Sequence, residues 1–124
     1  MVPAFLLPEK TAREGGQGPE LRLEGHMRQP LLLTLGINRI LEQESLEVSV
    51  WGSCDGKQWR LLVAFPPKSY CGKYYLTLDL VRHSDVAMLR AQWTMSRWDQ
   101  DRPQPLFGFY VYAEELQLHV AGAA

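Results

Sequence analysis

Residues 97–105 hold the densest group of side chains in this chain that could bind a ligand. The order is Arg97-Trp98-Asp99-Gln100-Asp101-Arg102-Pro103-Gln104-Pro105. Trp98 can stack on the apolar face of a sugar or on a partner's side chain. Arg97 and Arg102 can donate forked hydrogen bonds, and Asp99 and Asp101 can accept them from hydroxyls. This combination predicts a loop that binds a glycan or a protein. The alternative is that Trp98 plugs one end of the fold while the charged residues pair on the surface.

No arrangement typical of catalysis or of a metal site can be read from the chain. The histidines lie in separate segments without metal-ligand spacing. Asp99 and Asp101 could supply calcium ligands, but calcium needs about six to eight oxygens. Glu114 and Glu115 are adjacent on a predicted strand, so they point to opposite faces and cannot flank one glycosidic bond. The sequence therefore predicts a non-catalytic protein with no metal and no cofactor.

Size and charge narrow the class of protein. The 124 residues suit one domain, and 46% apolar against 22% charged residues is ordinary for a globular chain. The 13 Lys and Arg against 14 Asp and Glu leave a net charge of -1, without the basic patch that nucleic-acid binding needs. The longest apolar run, residues 31–37, is far shorter than the roughly 20 residues of a membrane helix. A soluble protein without nucleic-acid or membrane partners is expected.

The N-terminus and the cysteines indicate the cellular compartment of the protein. Residues 2–7 are apolar, but no Lys or Arg precedes them and Pro3 interrupts them, so they do not match a secretory signal. Cys54 and Cys71 are separated by a predicted strand of roughly 26 Å, whereas a disulfide needs Cα atoms within about 7 Å. Two free thiols are expected, and a cytoplasmic location follows.

The clearest local structure is a β-hairpin over residues 46–65. Leu46, Val48 and Val50 alternate with polar residues, which is the period of a half-buried strand. Asp55-Gly56 then favours a tight turn, because Gly accepts positive φ and Asp can bond its own backbone. The same apolar period is predicted after the turn, at Trp59, Leu61, Val63 and Phe65.

Further segments with strand patterning follow at fairly even spacing, over residues 21–23, 31–37, 73–80, 86–95 and 106–113. Residues 38–45 could form one helical turn. Residues 86–95 have good helix propensity, but the alternation of Leu89, Ala91 and Trp93 favours a strand. Residues 116–120 could add an edge strand or fray. The pattern predicts an all-β, antiparallel, two-sheet sandwich of jelly-roll type, or a partly closed barrel.

Domain organisation is predicted in three parts. Residues 1–19 are expected to form a flexible N-terminal arm, because residues 8–19 are rich in Gly and charge and poor in apolar side chains. The apolar tip of that arm could dock on the domain or a partner, or fray. Residues 20–120 are expected to form the single sandwich domain, and residues 121–124 a frayed end.

Three stretches carry a family resemblance. The hairpin Gly52-Ser53-Cys54-Asp55-Gly56-Lys57-Gln58-Trp59, then Met88-Leu89-Arg90-Ala91-Gln92-Trp93 and the aromatic strand of residues 107–112, resemble discoidin-like, galactose-binding-like jelly-roll domains. The resemblance implies an exposed Arg on the late strand and a carbohydrate site. The same features also resemble small β-sandwich proteins of phage-tail and virion-accessory type, which implies assembly.

The resulting prediction is a binding module that contacts a glycan or a protein through Arg97, Trp98, Asp99, Asp101 and Arg102. The alternative is an assembly protein that associates through exposed aromatic strand faces such as Tyr110 and Tyr112. Trp51, Trp59 and Trp93 fall on predicted strands and are expected in the core rather than on a ligand platform. The oligomeric state is left open.

Overall fold

A computed structural model describes residues 3–23, 29–41, 45–96 and 106–116. Within these ranges the chain forms strands and one short 3-10 turn, and no α-helix. The strands are β1 (Ala4–Ala12), β2 (Gly16–Gln17), β3 (Leu21–Arg22), β4 (Pro30–Leu41), β5 (Ser45–Ser53), β6 (Arg60–Ala64), β7 (Gly72–Asp79), β8 (Met88–Ser96) and β9 (Leu106–Glu115). The 3-10 turn is Leu80–Arg82. The predicted all-β class is confirmed.

The strands form two antiparallel sheets. The first sheet has the order β1-β9-β4-β7, and the second has β2-β8-β5-β6, with β3 also paired to β8. β2 and β3 pair with different parts of β8, Gly16 opposite Trp93 and Leu21 opposite Leu89, so they act as two halves of one edge strand. Counted that way, successive strands lie in different sheets except for the β5–β6 hairpin, and the strand order of both sheets is that of a jelly roll. The predicted two-sheet sandwich is thus confirmed.

The core lies between the sheets and follows from strict alternation along the central strands. Successive residues of a strand point to opposite faces, so every second residue can be apolar and enclosed. The enclosed side chains are Leu31, Leu33, Leu35 and Ile37 on β4, Leu46, Val48 and Val50 on β5, Leu89, Ala91 and Trp93 on β8, and Phe107, Phe109, Val111 and Ala113 on β9. Because apolar residues fill these inner positions, only the outward side chains of the same strands are accessible to a ligand.

The predicted hairpin forms, as β5 and β6, and its turn is held by side chains. Gly56 has φ 80°, which suits glycine. The Asp55 carboxylate accepts hydrogen bonds from the backbone N–H groups of Gln58 at 3.0 Å and Lys57 at 2.8 Å, and these bonds lower the pKa of Asp55. The hydroxyl of Ser53 accepts from the backbone N–H of Gly56 at 2.8 Å. The turn is therefore structural.

One part of the hairpin prediction is wrong. Leu61 was expected to face the core, but it is 52% exposed. The pairing of β5 with β6 shifts register between Val50 and Trp51, which turns Leu61 to the outer face. Leu62 and Val63 both pack partly against the core instead.

The predicted flexible arm of residues 1–19 is corrected for its first half. Ala4–Ala12 form β1, which pairs with β9 at the edge of the first sheet. Leu6 is fully buried and Leu7 is 4% exposed. The segment is a strand because β9 supplies its backbone partners and the core accepts its two leucines, neither of which its own composition reveals. Gly18 is tied to the second sheet by its backbone N–H, which donates to the carbonyl of Ala91 at 2.8 Å.

Three smaller expectations have clear outcomes. Residues 38–41 continue β4 rather than forming a helical turn. Met88–Ser96 is a strand, as the alternation favoured. Cys54 and Cys71 are both free and exposed. Residues 117–124, with the predicted last strand and frayed end, lie outside the described residues.

Candidate binding site

The residues first predicted to bind a ligand cannot be placed. Arg97, Trp98, Asp99, Asp101 and Arg102 all lie outside the residues that the structure describes. Their role stays a prediction.

The outer face of the first sheet carries the clearest group of exposed aromatic side chains. On β9 the outward positions are Tyr110, Tyr112 and Glu114, because the residues between them are buried. Tyr112 lies opposite Phe5 on β1 and Thr34 on β4. Thr34 in turn lies opposite Tyr75 on β7. A row of outward side chains therefore crosses all the strands of the sheet, and it spans about 14 Å because neighbouring strands lie about 4.8 Å apart.

These side chains line an open groove of about 630 Å³, here called the aromatic groove. Its lining residues are Phe5, Glu9, Thr34, Asn38, Lys73, Tyr75, Tyr110, Tyr112 and Glu114. Tyr75 is 60% exposed and Phe5 is 49% exposed, and both belong to one cross-strand row rather than being scattered singly. The groove thus presents aromatic surface to solvent.

The rings at one side of the groove hold each other in place. Phe5 meets Tyr110 edge to face, with ring centroids 5.8 Å apart and planes at 83°. It meets Tyr112 at 4.9 Å and 63°. Such T-shaped pairs contribute about 0.5–1.5 kcal/mol beyond burial of area. The aromatic side chains of β1 and β9 are therefore preorganised.

Tyr110 is fixed further by the residue opposite it on β4. That residue is Gly36, which is buried. A Cβ at this position would lie 2.2 Å from both Cε1 and Cζ of Tyr110, far inside van der Waals contact. The ring of Tyr110 therefore lies over the β4 backbone, in the space that any other residue at position 36 would fill. An aromatic side chain covering a cross-strand glycine is a known way to fix a sheet.

Polar groups surround the rings. β4 has a bulge between Ile37 and Arg39, and Asn38, which lies within it, lines the groove. The side-chain amide of Asn38 donates a hydrogen bond to the carboxylate of Glu9. The groove therefore combines stacking surface with carboxylates, an amide, an ammonium group and several hydroxyls.

On the outer face of the second sheet, the ring of Trp59 is covered by a side chain of the same protein. The guanidinium of Arg90 lies over the ring of Trp59, with its carbon 4.1 Å from the ring centroid. It donates to Gln17 at 2.8 Å and to Glu20 at 2.7 Å. The side chain of Arg90 is only 18% exposed. The exposed Arg implied by the family resemblance is therefore not found; Arg90 joins β8 to the edge formed by β2 and β3.

The prediction that the strand tryptophans are core residues holds for one of them. Trp93 is 3% exposed, packs edge-on against Phe109, and donates its indole N–H to the carbonyl of Glu14 at 3.0 Å. Trp51 and Trp59 are half-buried on the outer side of the second sheet. Trp51 faces outward by the alternation of β5, between buried Val50 and Gly52, and Trp59 lies against the guanidinium of Arg90.

One charged cluster lies apart from both faces. Arg60 donates two hydrogen bonds of 2.6 Å to Asp85, and its guanidinium lies 3.5 Å from Nδ1 of His83. The bonds from Arg60 lower the pKa of Asp85 to about 2. The contacts among Arg60, His83 and Asp85 explain the positions of all three side chains. Among the described residues no group of three or more His, Cys, Asp or Glu is placed to hold a metal ion.

The sequence pointed to part of the aromatic groove and missed the rest. Tyr110 and Tyr112 were named as an exposed aromatic face, and Tyr75 could have been added because it falls on an outward position of a predicted strand. Phe5 and Glu9 were missed because their segment was interpreted as a flexible arm. Asn38 lines the groove from a bulge that the sequence does not signal.

Comparison with protein-family models, with curated proteins and with solved structures finds no match to this chain. In the part of the chain that the structure describes, no helix has the length and apolar character needed to span a membrane.

Proposed function

We propose that this protein is a non-catalytic carbohydrate-binding module whose ligand lies in the aromatic groove. The observation that carries the proposal is the cross-strand row of Phe5, Tyr112, Thr34 and Tyr75, with Tyr110 seated over Gly36 beside it. A sugar ring has an apolar C–H face and a rim of hydroxyls. Aromatic rings bind the face, and carboxylate and amide groups bind the rim.

The shape of the groove supports an extended, narrow ligand. The groove runs across four strands and holds about 630 Å³. Two copies of the chain meeting groove to groove would enclose this space rather than fill it, whereas stable protein interfaces are packed as densely as protein interiors. An oligosaccharide lying across the strands fills it from one side.

The charges support a neutral sugar chain. Glu9 and Glu114 line the groove with one ammonium group, that of Lys73. The carboxylates would repel uronic acids and sulfated sugars, while both accept hydrogen bonds from hydroxyls. The galactose-binding-like resemblance of the sequence also supports carbohydrate as the ligand class. The proposal places the main contact on a sheet face rather than on residues 97–105.

A second candidate function uses the same residues. Tyrosine and phenylalanine within a polar rim are also typical of protein interfaces, and Phe5 is 49% exposed. An assembly protein would bury this face against a partner protein.

A glycan array with matched variants tests the proposal. Tyr75→Ala removes a ring that is 60% exposed, so the fold should tolerate it, and Tyr70→Ala removes a ring that is 68% exposed outside the groove. We expect the wild-type protein to bind neutral oligosaccharides, Tyr75→Ala to bind them about tenfold more weakly, which is about 1.4 kcal/mol, and Tyr70→Ala to match wild type. Absence of glycan binding, together with a stable oligomer by light scattering, would contradict the proposal and support assembly.

A further inference from the structure

A second groove lies on the opposite side of the molecule, on the outer face of the second sheet. It has a volume of about 500 Å³ and is here called the polar groove. Its lining residues are Glu47, Val48, Ser49, Trp51, Ala64, Phe65, Pro66, Pro67, Gln92 and Thr94. None of them lines the aromatic groove.

The floor of the polar groove is built from two central strands. Glu47, Ser49 and Trp51 take alternate positions on β5 and therefore share one face. On β8, Thr94 lies opposite Glu47, and Gln92 lies opposite Ser49. The floor thus presents a carboxylate, an amide and two hydroxyls in adjacent rows, with one indole at the end.

The indole at the end of this floor is held in a fixed orientation. The indole N–H of Trp51 donates to the hydroxyl of Ser49 at 2.9 Å. That hydroxyl in turn donates to the carbonyl of Gln92 at 3.3 Å. Trp51 therefore offers its ring surface to a ligand, while its polar atom is already bonded.

The wall of the groove is fixed by backbone bonds. β6 ends at Ala64, and Pro66 and Pro67 follow beside the floor. The backbone N–H of Phe65 donates to the carbonyl of Val48 at 2.8 Å. Leu46 and Lys68 exchange backbone hydrogen bonds of 2.8 and 3.0 Å. The two prolines are thus held against β5 from both sides.

We infer that the polar groove is a second carbohydrate site, for a neutral sugar with adjacent free hydroxyls. Glu47 is the only charged side chain in its lining, so a polyanion gains nothing there. An extended peptide cannot add to β5, the strand at the centre of the floor, because β5 is paired on both sides, with β6 and β8. Sugar hydroxyls can donate to the carboxylate of Glu47 and can both donate to and accept from the amide of Gln92.

The two grooves face in opposite directions because they lie on the outer faces of two sheets packed back to back. A protein that binds one sugar chain on each face joins two sugar chains, and linked sites raise avidity without new contacts. The second site stands on the polar groove alone. The bridging of two chains rests also on the proposed function of the aromatic groove.

Titration calorimetry of single-groove variants tests both statements. Gln92→Ala and the isosteric Glu47→Gln alter the polar groove, with Gln58→Ala in the exposed hairpin turn as the matched control. Tyr75→Ala alters the aromatic groove. The probes are cellohexaose, xylohexaose and mannohexaose, and light scattering with the parent polysaccharides reports bridging.

We expect two binding sites per chain in the wild-type protein. Glu47→Gln and Gln92→Ala should each leave one site, the aromatic groove. Bridging is expected only in wild type and in Gln58→Ala. One site in wild type, lost with Tyr75→Ala and unchanged in Glu47→Gln, would overturn the second site and leave the proposed function standing. One site lost only in the polar-groove variants would support the second site and overturn bridging and the proposed function. No binding of any probe would overturn all three.

Discussion

Trp59 on the outer face of the second sheet and the aromatic side chains on the outer face of the first sheet differ in what covers them. On the second sheet Trp59 is covered by Arg90, and Arg90 is held by Gln17 and Glu20, so the ring's partner comes from the same chain. On the first sheet the rings of Phe5 and Tyr110 contact each other and an open groove. The exposed surface on the first sheet is therefore available to a ligand.

This difference shows which exposed aromatic residues indicate a site. A ring that an intramolecular cation covers is part of the structure, and its removal changes stability. A ring that is preorganised by neighbours but left open costs free energy to hold in water, and a ligand that covers it recovers that free energy. Substitutions at the two kinds of ring and at their neighbours separate these two roles.

The largest effect is expected at Gly36. Gly36→Ala places a Cβ 2.2 Å from ring atoms of Tyr110 and must displace the ring. We expect the free energy of unfolding to fall by about 1–3 kcal/mol and glycan binding in the aromatic groove to be lost, measured by denaturant unfolding and by titration. The double variant Gly36→Ala with Tyr110→Ala should recover part of the stability but none of the binding. Wild-type binding in Gly36→Ala would show that the position of Tyr110 is unimportant.

Arg90 should behave in the opposite way. Arg90→Lys keeps the charge but cannot reach Gln17 and Glu20 with a planar fork. We expect a loss of about 1.5 kcal/mol in the free energy of unfolding, with unchanged binding in the aromatic groove. Weaker binding in the aromatic groove of this variant, at full folding, would show that Arg90 also shapes the first face.

Phe5 tests the preorganisation of the first face. Phe5→Ala removes the edge-to-face contacts with Tyr110 and Tyr112. We expect the thermal midpoint to fall by a few degrees, since such contacts contribute about 0.5–1.5 kcal/mol, and binding to weaken several-fold. Phe5→Leu keeps the apolar bulk, so a larger loss of binding in Phe5→Leu than in Phe5→Ala would argue against this account.

The smallest effect concerns Asp85, which belongs to neither face. Its pKa is lowered from 3.8 to about 2 by the bonds from Arg60. A folded-state pKa below the unfolded value stabilises the fold above about pH 4, and this stabilisation is lost as the pH falls to about 2. The thermal midpoint of Asp85→Asn should therefore lie below wild type at pH 6, and the gap should close between pH 4 and pH 2. A gap that persists at pH 2 would mean that the ion pair is not its cause.

Much of the fold could be predicted from the sequence because its signals are local. The alternation of residues 46–50 and the Asp55-Gly56 turn specify the hairpin without reference to the rest of the chain. β1 could not be predicted in this way, because its backbone partners lie on β9, about a hundred residues away in the chain. Leu61 was misplaced because a register shift leaves no mark in the pattern.

The candidate site was harder to predict for the same reason. Phe5, Thr34, Tyr75 and Tyr112 come from four strands scattered through the chain, and only the pairing register makes them one row. The sequence alone does not show which strands an apolar residue near the N-terminus lies beside. The sequence points first to residues 97–105 because these polar residues are contiguous in the chain.

Chemical-shift mapping by NMR tests the central claim most directly. The isotopically labelled protein is titrated with the neutral oligosaccharide that binds best on the array. The account predicts that the largest shifts fall on Gly36, Tyr75, Tyr110 and Tyr112, across the strands of the first sheet. Shifts confined to residues 97–105, with the aromatic groove unperturbed, would contradict it.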